Sequence, residues 1–152
     1  MNRTETVTFT NMCMIYDENG NVVVQQRVKN WPGVAFPGGH VEAGEAFTDA
    51  VIREVREETG LHVSNLQLCG IKDWIEEDGA RYMVLLYKTG QFEGELTSSE
   101  EGEVWWMPLE QLRAGAGITL AEDMQTMLQM FCGDCTKQFF YLEHGSWVEV
   151  LK

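Results

Sequence analysis

Residues 7–16 and 22–26 carry the apolar-rich pattern of strands, and Asn19-Gly20 between them is a strong hairpin signal. A short strand is expected after Trp31-Pro32-Gly33, followed by a glycine-rich bend at Pro37-Gly38-Gly39. There the period changes. Val51, Ile52 and Val55 fall on one face of a helix expected over about residues 47–59, with Gly60 as its C-cap. Residues 66–76 and 81–88 read as a second hairpin around Asp78-Gly79. A strand at 103–107, a helical turn at 108–112 and a helix over 119–131 follow, the last built on Met124, Met127, Leu128 and Phe131. Residues 138–142 and 147–150 read as a terminal hairpin about His144-Gly145. The pattern predicts an α+β fold around a mixed sheet, in one domain spanning residues 1–152.

The middle helix carries the chemistry. At about 100° per residue, Glu54, Glu57 and Glu58 lie within roughly a third of its circumference, beside the face that Val51, Ile52 and Val55 bury. Three crowded carboxylates repel one another, so a merely solvated helix gains nothing from them. An oxygen-only cluster of this kind suits a hard divalent cation, Mg²⁺ above all, with Mn²⁺ as the alternative. Arg53 adjoins the cluster, where its planar fork can brace carboxylates. The glycines upstream let the backbone approach closely, so a carbonyl can join the ligands.

Residues 39–61, GHVEAGEAFTDAVIREVREETGL, resemble the Nudix box at every specified position. The resemblance implies an α/β/α sandwich, to which the terminal hairpin is an addition, and a metal-dependent pyrophosphohydrolase acting on a nucleoside diphosphate linked to another group. Carried over by position, Glu54, Glu57 and Glu58 would hold the metal together with the Gly39 carbonyl. Glu54 would orient or deprotonate the attacking water, Arg53 would hold the glutamates in register, and Glu45 would support the loop. A further acid in such enzymes comes from a later loop. Glu100 resembles it by its distance from Trp105-Trp106, with Glu101 and Glu103 as rivals.

Charge and cysteine content are consistent with such an enzyme. With 24 Asp and Glu against 11 Lys and Arg, the formal net charge is -13. That balance disfavours a nucleic acid polymer or an anionic membrane surface as partner, and an anionic nucleotide would arrive with its metal. The chain shows no secretory signal or membrane span, so the expected location is cytoplasmic; the expected state is a monomer or homodimer. Cys13 and Cys69 sit in apolar stretches and are expected to be reduced; Cys132-Gly133-Asp134-Cys135 lacks the further ligands of a zinc site.

Substrate contacts are less legible. Trp31, Phe36, Trp74, Tyr82 and Met83 are candidates for an aromatic slot, and Arg27, Lys72 and Arg81 for phosphate contacts. Glu122 and Asp123 lie where mutator-type members of the family carry a base-reading residue. The substrate expected is a nucleoside triphosphate, such as an oxidised purine like 8-oxo-dGTP. Two rivals stand beside it: another nucleotide conjugate (ADP-ribose, a nucleotide sugar, a dinucleoside polyphosphate), or a nucleotide-sensing domain without turnover. An isopentenyl diphosphate isomerase, which shares the fold, is disfavoured by the unaltered box.

Overall fold

In the computed structural model, which describes residues 2–115 and 117–152, the expected order of elements is largely met. The first half runs β1 (Val7–Ile15), β2 (Asn21–Arg27), β3 (Gly33–Ala35), α1 (Phe47–Thr59), β4 (His62–Ser64) and β5 (Gln67–Ile75). The second runs β6 (Arg81–Thr89), β7 (Gln91–Glu93), β8 (Val104–Pro108), α2 (Leu109–Ala114), α3 (Met124–Phe131), β9 (Lys137–Glu143) and β10 (Ser146–Leu151). The largest sheet is mixed, in the order β1-β6-β5-β9-β10; β1 is parallel to β6 and β5 to β9, and the other pairs are antiparallel. A three-stranded sheet, β3-β2-β8, and the short pair β4-β7 complete the strands.

Alternation along β1 and β6 divides the core. Cys13, Ile15, Leu85 and Tyr87 pack with Val51 and Val55 of α1. Met14, Val84 and Leu86 pack on the other side with Met124, Met127, Leu128 and Phe131 of α3. Helices therefore cover both sides of the strands, the layered sandwich expected. Helix α1 ends at Gly60, whose φ of 78° supplies the left-handed C-cap and whose N–H donates to the Arg56 carbonyl. All four cysteines are free thiols.

Two local expectations are corrected. The Asn19-Gly20 turn forms, with Asp17 accepting from the Asn19 and Asn21 N–H groups, but among the described residues β1 and β2 form no ladder, and the pairing stops at the Tyr16–Val22 bridge beside the turn. The edge of β1 that β2 would need is taken by the glycine bend: Asn11 N–H donates to Gly39, Cys13 N–H to Pro37, and Val41 N–H to Phe9. Helix α3 begins at Met124 rather than residue 119, because Thr119 and Ala121 pair through their backbone with Val34, and Asp123 then turns with φ 66°. The terminal hairpin joins the large sheet of its own chain, β9 pairing with β5 and β10 forming the edge.

Candidate functional site

Short contacts between bend and helix create the site. A Cβ on Gly38 would stand 2.1 Å from the Asn11 carbonyl oxygen, and one on Gly39 2.4 Å from Cδ of Glu54. Only glycines allow this approach. Glu54 lies against the Cα of Gly39, while Glu58 accepts a hydrogen bond from the Gly38 N–H at 3.0 Å. Two of the three box glutamates thus turn inward onto the bend. Glu57 stays outward, its side chain 60% exposed and 3.6 Å from Arg53.

Arg53 holds the assembly in register. Its Nε and Nη2 donate to the two carboxylate oxygens of Glu45 at 2.9 and 3.0 Å, the bidentate fork. Nη1 donates to Glu54 at 2.8 Å, and Nη2 also donates to the His40 carbonyl. Glu45 closes its own loop by accepting from the Glu42 N–H. Hydrogen bonds from Arg53, then from Glu42, hold the Glu45 carboxyl down at about 2.

The inward carboxylates are perturbed the other way. Burial pushes the Glu58 carboxyl up to about 7, opposed by the Gly38 N–H and by the charge of Arg27, and reinforced by Glu54 and Glu101. Burial also raises Glu54, against the pull of Arg53, and Glu57 and Glu101 add to the rise. Two desolvated carboxylates on one bend, with the charge of Glu54 acting on Glu58, are an arrangement that a hard cation would relieve. Among the described residues no three His, Cys, Asp or Glu side chains are gathered into a ready-made cage. The fit rests instead on an all-oxygen set: Glu54, Glu58 and the Gly39 carbonyl at the bend, with Glu57 one turn away.

The remaining candidates separate. In the 98–103 loop Glu100 and Glu101 are both exposed, and the charge that reaches Glu54 and Glu58 is that of Glu101, the rival of Glu100. Arg27 stands where its charge acts on both Glu58 and Tyr82. Tyr82 stacks on Trp74 with ring centres 4.4 Å apart, and Trp31 meets both rings edge-on. Phe36 is a correction: it is fully buried, edge-on to Phe131, and presents no face to a ligand. Arg81 is taken by Glu5 and Asp73, and Met83 packs with the α1-side core, away from Tyr82. Glu122 is exposed, whereas its neighbour Asp123 pairs with Lys72 at 2.7 Å.

Asn11 escaped the sequence reading. Buried in β1, it grips the bend twice: its N–H donates to the Gly39 carbonyl, and its Oδ1 accepts from the Gly39 N–H at 3.2 Å. The available signal was a lone amide inside the apolar run of β1.

Comparison with known proteins agrees with this geometry. The NUDIX domain pattern matches residues 9–131. The "Uncharacterized Nudix hydrolase YvcI" of Bacillus subtilis is 33% identical over 106 residues, 66% of this chain and 66% of that protein. The "NAD-capped RNA hydrolase NudC" of Mycobacterium tuberculosis is 32% identical over 107 residues, 68% of this chain but only 33% of its own length. Among solved structures, the mutator MutT protein of Bacillus halodurans superimposes with a TM-score of 0.75 at 25% identity, covering 93% of this chain and 97% of that one. With the box helix, its glycine bend and the two-sided sandwich all in place, the chain belongs to the Nudix hydrolase family.

Proposed function

We propose that this protein is a Mg²⁺-dependent pyrophosphohydrolase of nucleoside diphosphate derivatives, with Mn²⁺ as an alternative ion. The observation that carries the reading is the pair Glu54 and Glu58, desolvated against the Gly38-Gly39 bend beside a bidentate Arg53–Glu45 clamp. Glu54, Glu57, Glu58 and the Gly39 carbonyl are the ligands proposed. The ion, when bound, supplies neutralisation of charge on the bridging and leaving oxygens and lowers the cost of deprotonating water.

The protein's own groups do the rest. Glu54 orients the attacking water and accepts its proton, and Arg53 keeps that carboxylate from swinging away. Glu58 anchors the bend through the Gly38 N–H, so bend and helix move as one. Arg27, whose charge acts on both Glu58 and Tyr82, is the residue proposed to meet phosphate oxygens. Glu101, alongside the loop candidate Glu100, adds the further acid at the mouth of the site.

Within this class the substrate proposed is a nucleoside triphosphate, including oxidised purines such as 8-oxo-dGTP, cleaved to monophosphate and pyrophosphate. The test is pyrophosphate, phosphate and monophosphate release across normal and oxidised triphosphates, dinucleoside polyphosphates, nucleotide sugars and ADP-ribose, with Mg²⁺ and with EDTA. Metal-dependent pyrophosphate release from triphosphates supports the proposal. Turnover of ADP-ribose alone would move the substrate to the conjugate class. Tight nucleotide binding with no product in any lane would make the domain a sensor.

A further inference from the structure

The C-terminal hairpin, β9 with β10, lies beyond the stretch that matches the family pattern, residues 9–131. Its one fully buried polar side chain is Gln138, directly opposite Lys72 across the β5–β9 pair. The Nε2 of Gln138 donates to Asp123 at 2.8 Å and to Glu149 at 3.1 Å, so both amide hydrogens are spent on carboxylates. Its Oε1 has no partner among the described residues. Burying an amide half-satisfied costs stability, and what holds it there is the pair of carboxylates it serves.

Asp123 carries a second anomaly. It stands at the N-cap of α3, where an aspartate normally accepts from the helix's own free N–H groups, yet it makes no such bond. Its backbone is in the left-handed region, φ 66°, uncommon outside glycine. Oδ2 instead receives Lys72 at 2.7 Å together with Gln138. Strain of this sort persists where the surroundings over-determine it, and such places cluster at ligand sites.

The location gives the strain a use. Lys72 lies 5.4 Å from the ring centres of both Trp74 and Phe140, and Trp74 is the ring stacked on Tyr82. Lys72 and Asp123 keep 12% and 15% of their side chains exposed, whereas Gln138 is fully buried behind them. At that end of the stack stand an ammonium donor and a carboxylate acceptor side by side, a polar edge beside aromatic faces suited to a planar heterocycle.

We propose that Gln138 is a positioning residue for nucleobase discrimination: by fixing Asp123 and Lys72 at the end of the Trp74–Tyr82 stack, the added hairpin determines which base the enzyme accepts. This rests on the nucleotide reading above. Gln138 touches no substrate; it acts through Asp123.

The experiment compares the full chain with Gln138→Met and Glu149→Gln. Calorimetry with α,β-methylene analogues of guanosine, adenosine and uridine triphosphates in Mg²⁺ gives affinities without turnover, and kinetics with the natural triphosphates gives KM and kcat. The wild type is expected to discriminate among the three bases. In Gln138→Met the Kd and KM for the preferred base rise about tenfold, with those for the disfavoured bases and kcat changing less than about twofold. Glu149→Gln, on the exposed strand β10, shifts the ratio in the same direction by about twofold and reads the effect even if the methionine variant fails to fold. A lowered melting temperature with an unchanged base ratio in both variants would overturn the proposal and leave the network as a tether for the hairpin. A wild type that binds all three bases equally would overturn it too. If none of the analogues binds and no triphosphate turns over, the nucleotide reading itself has failed.

Discussion

Gly38 and Gly39 are neighbours in one bend, yet alanine is expected to fail at each for a different reason. At Gly38 the new Cβ would lie 2.1 Å from the Asn11 carbonyl oxygen and 2.8 Å from the Cα of Met12. Both obstacles are backbone of β1, pinned between β6 and the bend itself. More than 1 Å of backbone must yield, an overpacking strain that costs ~2–4 kcal/mol. At Gly39 the nearest atoms, at 2.4, 2.5 and 2.7 Å, all belong to the carboxylate of Glu54. Neither glycine has a positive φ, so an alanine backbone fits at both.

Glu54 therefore retreats by about 1 Å to reach ordinary contact, and the fold barely notices. The stability cost at Gly39 is under ~1 kcal/mol, partly offset by the reduced freedom of the unfolded chain. Catalysis is another matter, because a misplacement of about 1 Å at a reacting group lowers the rate on the order of a hundredfold. Thermal unfolding followed by circular dichroism, with pyrophosphate release on the nucleotide the substrate panel selects, measures both. Gly39→Ala should melt within about 3 °C of wild type and lose about a hundredfold in kcat, whereas Gly38→Ala should melt roughly 5–15 °C lower. Wild-type turnover in Gly39→Ala, or equal melting losses in the two variants, would refute the steric reasoning.

In metal-free protein, the Glu58 carboxyl stands at about 7 against an ordinary 4.5, chiefly because it is buried. Its contribution to stability is complete below about 4.5 and is lost as pH rises through 7, a difference of ~3 kcal/mol that urea titrations from pH 4 to 8 in EDTA should show and Glu58→Gln should flatten. Arg53→Lys keeps the charge but loses the fork that spans Glu45, Glu54 and the His40 carbonyl; kcat/KM is expected to fall on the order of a hundredfold with kcat carrying most of the loss, and a fall confined to KM would contradict the bracing role. Gly60→Ala places a side chain at φ 78° and 2.9 Å from the Glu95 carbonyl, so it should cost ~1–2 kcal/mol by chemical denaturation while kcat stays within about twofold of wild type.

The sequence made most of the fold legible because its strongest signals are local. Helix α1 keeps its predicted bounds, since apolar spacing and a left-handed Gly60 act within a few residues of each other. The β5–β6 hairpin forms about Asp78-Gly79 as expected. Misreadings arise where distant backbone competes. Residues 119–123 have helical spacing, but Val34 claims the carbonyl of Thr119 and the N–H of Ala121, and those long-range bonds outweigh local preference. Phe36 looks like a slot residue in sequence, yet position 36 lies where β3 gives way to the bend, and there the ring turns onto Phe131.

The lost β1–β2 pairing and the overlooked Asn11 have one cause. A hairpin at Asn19-Gly20 would have satisfied the free edge of β1 at little loop-closure cost. Segment 37–41 takes that edge instead, and it must cross a long connection to do so. Such a pairing is favourable because it anchors a glycine bend with no side chains to pack, and a bend without packing needs backbone partners on a rigid strand. Asn11 adds the bond that the ladder alone leaves out, accepting the Gly39 N–H while Glu58 takes that of Gly38. With both N–H groups of the bend engaged, the approach of Glu54 to Gly39 is fixed before any ion arrives. What local sequence patterns miss is thus the part that preorganises the site, because its partners stand 28 residues apart in the case of Asn11 and Gly39 and 20 apart for Gly38 and Glu58.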